Sequence, residues 1–73
     1  MRISKNDLCS DCLGIHPIMS DGKPSQHSIA DLLDGEGYKN PMGYVLVNQG
    51  IKLYLEKNGG CSNCRKVMQR ATS

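Results

Sequence analysis

Apolar residues concentrate in one stretch of this chain, Gly43-Tyr-Val-Leu-Val-Asn-Gln-Gly-Ile-Lys-Leu-Tyr-Leu-Glu56. Two β-rich runs flank Asn48-Gln49-Gly50, residues that tolerate positive φ, and the pattern predicts a β-hairpin over 43–56. In the second run Ile51, Leu53 and Leu55 would point one way, with Lys52, Tyr54 and Glu56 pointing the other. The first run is apolar on both faces, so something would cover its outer side. Asn58-Gly59-Gly60 then turns the chain and the period changes. Cys64, Val67, Met68 and Ala71 fall at i, i+3, i+4 and i+7, with Arg65, Lys66, Gln69 and Arg70 on the remaining circumference. This is an amphipathic helix over 62–71, which Ser62 or Asn63 can cap. Residues 15–42 read as a loop-rich insertion, punctuated by Pro17, Asp21-Gly22, Pro24 and Gly35-Glu36-Gly37. One short helix is expected inside it, over Ser28–Asp34, where Ile29, Leu32 and Leu33 share a face and Gly35 ends the run.

The four cysteines supply the candidate chemistry. Cys9-Ser-Asp-Cys12 and Cys61-Ser-Asn-Cys64 are two Cys-x-x-Cys pairs, 48 residues apart. Two residues between thiols let one tight turn present both sulfurs to a single ion, and two such pairs complete the tetrahedral Cys₄ shell that Zn²⁺ prefers. Gly14 follows the first pair where the chain must turn. The wide separation would make the metal a structural staple joining the two ends of one domain. The rival reading is two disulfides, which require an oxidising compartment. The first residues carry no apolar run of signal-peptide length and nothing later approaches a membrane span, so a reducing cytoplasm, where thiols ligate metal, is the favoured reading. Knuckle, hairpin, then a helix donating the last two ligands is the order of a treble-clef zinc finger. The expected fold is therefore a small zinc-stabilised α+β domain of treble-clef type with a loop insertion; the alternative is a zinc ribbon.

Size strengthens the case for metal. A chain of 73 residues with no Trp, no Phe and three Tyr has a poor core, and below about 70–80 residues a core alone supplies only about 3–5 kcal/mol. Structural zinc in small peptides contributes roughly 10–16 kcal/mol.

Charge is lopsided beneath a net +2. The first 36 residues carry three cations against six carboxylates, and the remainder carries six cations against Glu56 alone. Four thiolates around a divalent ion bring the loaded protein near neutral, which suits docking on a patterned protein surface better than general nucleic-acid binding. A zinc-finger nucleic-acid reading stands as the alternative, with Arg65, Lys66 and Arg70 meeting phosphates; the helix dipole equally favours cations in last turns with no ligand at all. No phosphate loop, hydrolase triad or acid pair is present, and a closed Cys₄ shell leaves no position for water, so no enzyme and no small-molecule substrate are expected. His16 and His27 read as surface loop residues, and Ile15, Ile18 and Met19 as exposed apolar positions of the insertion.

The opening Met-Arg-Ile-Ser-Lys-Asn-Asp-Leu-Cys-Ser-Asp-Cys-Leu-Gly-Ile-His-Pro-Ile-Met, in a chain of this length, resembles small phage-encoded transcription regulators that bind the host bacterial RNA polymerase. The resemblance implies a regulator in the host cytoplasm that inhibits initiation by interfering with σ-factor contacts and suppresses termination; a monomer docked on core polymerase near the RNA exit path would oppose both, and the lopsided charge suits that position. Nascent RNA is a further partner in that picture. It transfers no contact residues position by position.

Overall fold

In the computed structural model, which describes residues 1–73, helices account for all the regular structure. A single 3₁₀ turn, Lys5–Asp7, precedes α1 (Ser10–Leu13), α2 (Ile29–Asp34), α3 (Glu36–Lys39), α4 (Gly43–Lys57) and α5 (Ser62–Thr72). The only β-type pairing is one isolated bridge, Ile18 with Pro24, which closes a turn in the loop after α1. The α+β expectation is thus overturned, in both its treble-clef and its zinc-ribbon forms.

The correction lies in residues 43–56, which form α4 and not a hairpin. Asn48, Ile51 and Leu55 are buried on one face, with Tyr44, Val47 and Tyr54 partly buried beside them. That spacing is helical. A hairpin would have put Ile51, Leu53 and Leu55 together, yet Leu53 is 51% exposed while Ile51 and Leu55 are fully covered. Asn48 is not a turn residue: it is 1% exposed. Its Oδ1 accepts from the Tyr38 hydroxyl at 2.9 Å, and its Nδ2 donates to the Met1 carbonyl at 2.7 Å. A lone two-stranded hairpin leaves backbone groups on both edges unpaired, whereas a helix closes its own hydrogen bonds and needs only one apolar face against a neighbour.

Local signals elsewhere hold in part: α3 starts within Gly35-Glu36-Gly37, read as loop, and Cys61, not Ser62 or Asn63, caps α5. Ser28 caps α2, its hydroxyl accepting from the Asp31 N–H while Asp31 accepts from the Ser28 N–H, and Gly35 follows the last turn. Asn58-Gly59-Gly60 joins α4 to α5. Gly59 has φ of 76°, and a Cβ on Gly60 would lie 2.7 Å from the Leu55 side chain, so the helices approach through this turn only because both residues are glycine. The core is assembled from all parts of the chain: Ile3, Leu8, Ile29, Leu33, Tyr38, Ile51, Leu55, Met68 and Ala71, with Cys12 and Cys64 at one end. Ile15 packs partly against it, contrary to its reading as exposed, while Ile18 and Met19 do face solvent.

Gly50 sits in the middle of α4 with nothing in the fold requiring a glycine. A Cβ there would meet only the Tyr54 ring, at 3.6 Å, an ordinary contact. Gly50→Ala is expected to stabilise the protein by about 0.5–1 kcal/mol, raising the midpoint of thermal unfolding by a few degrees. In a hairpin turn the same change would destabilise.

Candidate metal centre

Each Cys-x-x-Cys pair opens a helix. Cys9 is the N-cap of α1 and its sulfur accepts from the Cys12 N–H at 3.4 Å; Cys61 is the N-cap of α5 and accepts from the Cys64 N–H at 3.3 Å. The pairs then interlock. The Cys9 N–H donates to the Cys64 sulfur at 3.2 Å, and the Cys61 N–H donates to the Cys12 sulfur at 3.4 Å. The two ends of the chain therefore meet in a pseudo-twofold arrangement in which every sulfur receives one backbone N–H.

All four sulfurs lie within 4.8 Å of one another, and Cys9 and Cys61 are 3.8 Å apart. A tetrahedral shell with metal–sulfur bonds of about 2.3 Å places its sulfurs roughly 3.8 Å apart. The group could hold a metal ion, with its wider-spaced sulfurs drawing in towards the tetrahedral separation. Cys12 and Cys64 are buried and Cys9 and Cys61 are exposed, and none of the four is in a disulfide.

The thiols differ in how readily they ionise. Burial pushes the Cys64 thiol up to about 12 and raises that of Cys12 as well, in each case despite the N–H received from the opposite pair. The Cys61 thiol is drawn down to about 7, chiefly by the backbone and side chain of Cys64. Left alone at neutral pH, the two buried cysteines would stay protonated. A divalent ion would supply the charge that makes four thiolates compatible with one small volume.

Neither histidine joins the sulfurs. The His16 ring donates from Nδ1 to the Ser25 carbonyl at 2.9 Å, tying the loop after α1 to itself, and His27 is exposed. Of the basic residues singled out in the sequence, only Arg70 lies in the last turn of α5. Arg65 and Lys66 lie near its start, against the direction that the helix dipole favours. All three are exposed and none forms an ion pair, the two pairs of the molecule being Lys5–Asp34 and Lys39–Glu36.

The hairpin reading places one surface on the wrong element, leaving the outer side of the first run to be covered. Met42, Val45, Leu46 and Leu53 on the outer side of α4 are exposed, at 80, 43, 70 and 51%. Met42, Leu46 and Leu53 recur at the spacing of one helix face, a signal that becomes readable once the stretch is taken as helical. Beside them Leu32, Val47, Gly50 and Tyr54 complete a shallow apolar groove between α2 and α4, of about 250 Å³.

No known protein family matches this chain, and neither does any characterised protein or solved structure. No helix is long and apolar enough to cross a membrane.

Proposed function

We propose that this protein is a zinc-stapled helical module without catalytic activity that regulates transcription by binding bacterial RNA polymerase, blocking initiation and suppressing termination from a position near the RNA exit path. Zinc is favoured because four soft thiolates in a closed tetrahedral shell suit a structural ion that needs no open position, with iron as the competing occupant of such a shell. The choice of polymerase rests on the resemblance of the chain's opening residues to phage-encoded regulators. The observation that carries protein binding is the exposed apolar stripe of α4. A chain this poor in large apolar residues leaves Met42, Leu46 and Leu53 in water, where each gains by burial in a partner surface.

The test is capture of core polymerase from bacterial lysate by the tagged, metal-loaded protein, followed by titration of purified core enzyme. Leu46→Asp with Leu53→Asp is expected to weaken binding at least tenfold, as loss of a central apolar contact does at other interfaces. Metal content and helical circular dichroism should not change, because neither side chain enters the core. Unaltered affinity would move the contact off α4. Failure of the wild-type protein to bind core polymerase would remove the polymerase reading.

A further inference from the structure

We infer that a polar cleft between α4 and α5 is a binding site for the phosphodiester backbone of a single-stranded nucleic acid. The cleft, of about 370 Å³, is lined by Glu56, Ser62, Arg65, Lys66 and Gln69, with no apolar residue among them. Ser62, Arg65, Lys66 and Gln69 lie at i, i+3, i+4 and i+7 of α5 and so form one continuous face. Arg70 stands one turn beyond Lys66 on its flank. Along the helix the face from Ser62 to Arg70 runs about 12 Å, long enough for successive phosphates of one strand.

Three observations separate this face from an ordinary solvated one. The first turn of α5 contains no acidic residue, yet Arg65 and Lys66 follow it directly. Cations near a helix N-terminus oppose the dipole, and the anions of α5 that could draw them there are the ligand cysteines Cys61 and Cys64. Next, neither residue is neutralised within the fold, although four other charged side chains do form ion pairs. Finally, the mixture of donors is the one that phosphate oxygens take: guanidinium, ammonium, hydroxyl and carboxamide together. An acidic peptide offers carboxylates at irregular spacing, whereas a nucleic-acid strand offers an acceptor group at every step. No aromatic residue lines the cleft to stack on bases, so contact is to the backbone and carries no sequence preference. The rival explanation is that Arg65 and Lys66 balance the negative charge of a metal–thiolate centre. They make no hydrogen bond to any sulfur; the sulfurs are served by backbone N–H groups.

The site does not depend on polymerase binding, and its test uses none. Binding of the metal-loaded protein to fluorescent oligo(U) and oligo(dT) 20-mers is followed by anisotropy between 50 and 200 mM salt. Three phosphate contacts to a single strand predict a log–log salt slope of about −2, a weakening of roughly fifteenfold across that range. Lys66→Gln should weaken binding several-fold and Arg65→Gln at least as much, whereas Lys23→Gln, an equal loss of charge in the loop after α1 and outside the cleft lining, should change it less than twofold. Glu56→Gln, which removes the one carboxylate facing the strand, should tighten it. Metal content of each variant reports whether the fold is intact. Equal preference for oligo(U) and oligo(dT) supports pure backbone recognition; preference for oligo(U) supports the site with an added contact to the ribose hydroxyl. Equal effects of Lys66→Gln and Lys23→Gln would overturn the site in favour of diffuse attraction. So would lost metal in the Arg65 and Lys66 variants, which would assign both cations to the centre. Polyglutamate competing as well as the oligonucleotides would overturn the choice of ligand.

Discussion

Withdrawing the metal is expected to unfold this protein completely. Chelation, or Cys64→Ser, should abolish the helical circular dichroism signal and the cooperative thermal transition together. The centre joins the N-termini of α1 and α5, and without it the buried Cys12 and Cys64 lose the ion that makes their thiolates tolerable. Structural zinc contributes roughly 10–16 kcal/mol in small peptides, against the few kcal/mol that a core of this size leaves after chain entropy. Cys9→Ser should be milder than Cys64→Ser, since Cys9 is exposed and water can take its place in the shell. The pH dependence has a definite sign. Unfolded cysteines are protonated at neutral pH and metal-bound ones are not, so the unfolded state binds more protons and stability falls as pH is lowered. One equivalent of zinc should be found per folded chain by elemental analysis. A chelated protein retaining its helical signal and a sharp transition would show that packing alone holds the fold.

How far the sequence carries depends on how local each signal is. The ligand set is legible because a Cys-x-x-Cys turn is a four-residue geometry whose chemistry hardly depends on the rest of the chain. The same holds for α2, with Ser28 and Asp31 at one end and Gly35 at the other, and for α5, whose apolar positions repeat cleanly. Residues 43–56 defeat the same approach for two physical reasons. Val45, Val47 and Ile51 have β-preferring shapes, and Asn48-Gln49-Gly50 has turn-preferring ones, but tertiary context outweighs such propensities when no other strand exists to complete a sheet. More telling, the inward face of α4 includes Asn48, which a count of apolar residues treats as polar, while Leu46 and Leu53, which it treats as core, point outward. The partner-facing candidate surface and the misread element are therefore the same helix. The cleft lined by Arg65 and Lys66 was only half legible: the residues could be named, but their place near the start of α5 and the approach of Glu56 from α4 follow from the fold.

Asn48→Leu should be among the most damaging substitutions outside the metal centre, although it replaces a polar residue with an apolar one of the same branched shape. The Tyr38 hydroxyl accepts from the Ile3 N–H at 2.7 Å and donates to Asn48 Oδ1, so the side chain of Asn48 completes a buried chain linking the first residues, α3 and α4. Leucine would leave the Tyr38 proton without an acceptor and the Met1 carbonyl without its donor. An orphaned buried group costs about 1–3 kcal/mol, and with Met1 itself largely exposed most of the loss falls on Tyr38. A destabilisation of about 2–4 kcal/mol follows, which at roughly 4–8 °C per kcal/mol in a domain of this size lowers the midpoint of unfolding by about 8 °C or more. Adding Tyr38→Phe to Asn48→Leu should recover part of the loss, since removing both partners costs less than stranding one; the Ile3 N–H, which then loses its acceptor, keeps the recovery incomplete. Thermal unfolding of the two single variants and the double, with metal bound throughout, measures this coupling directly. At the exposed tip of a hairpin, leucine in place of Asn48 would change stability by about 0.5 kcal/mol or less and would not couple to Tyr38, so additive and small effects would overturn the helical placement of this residue.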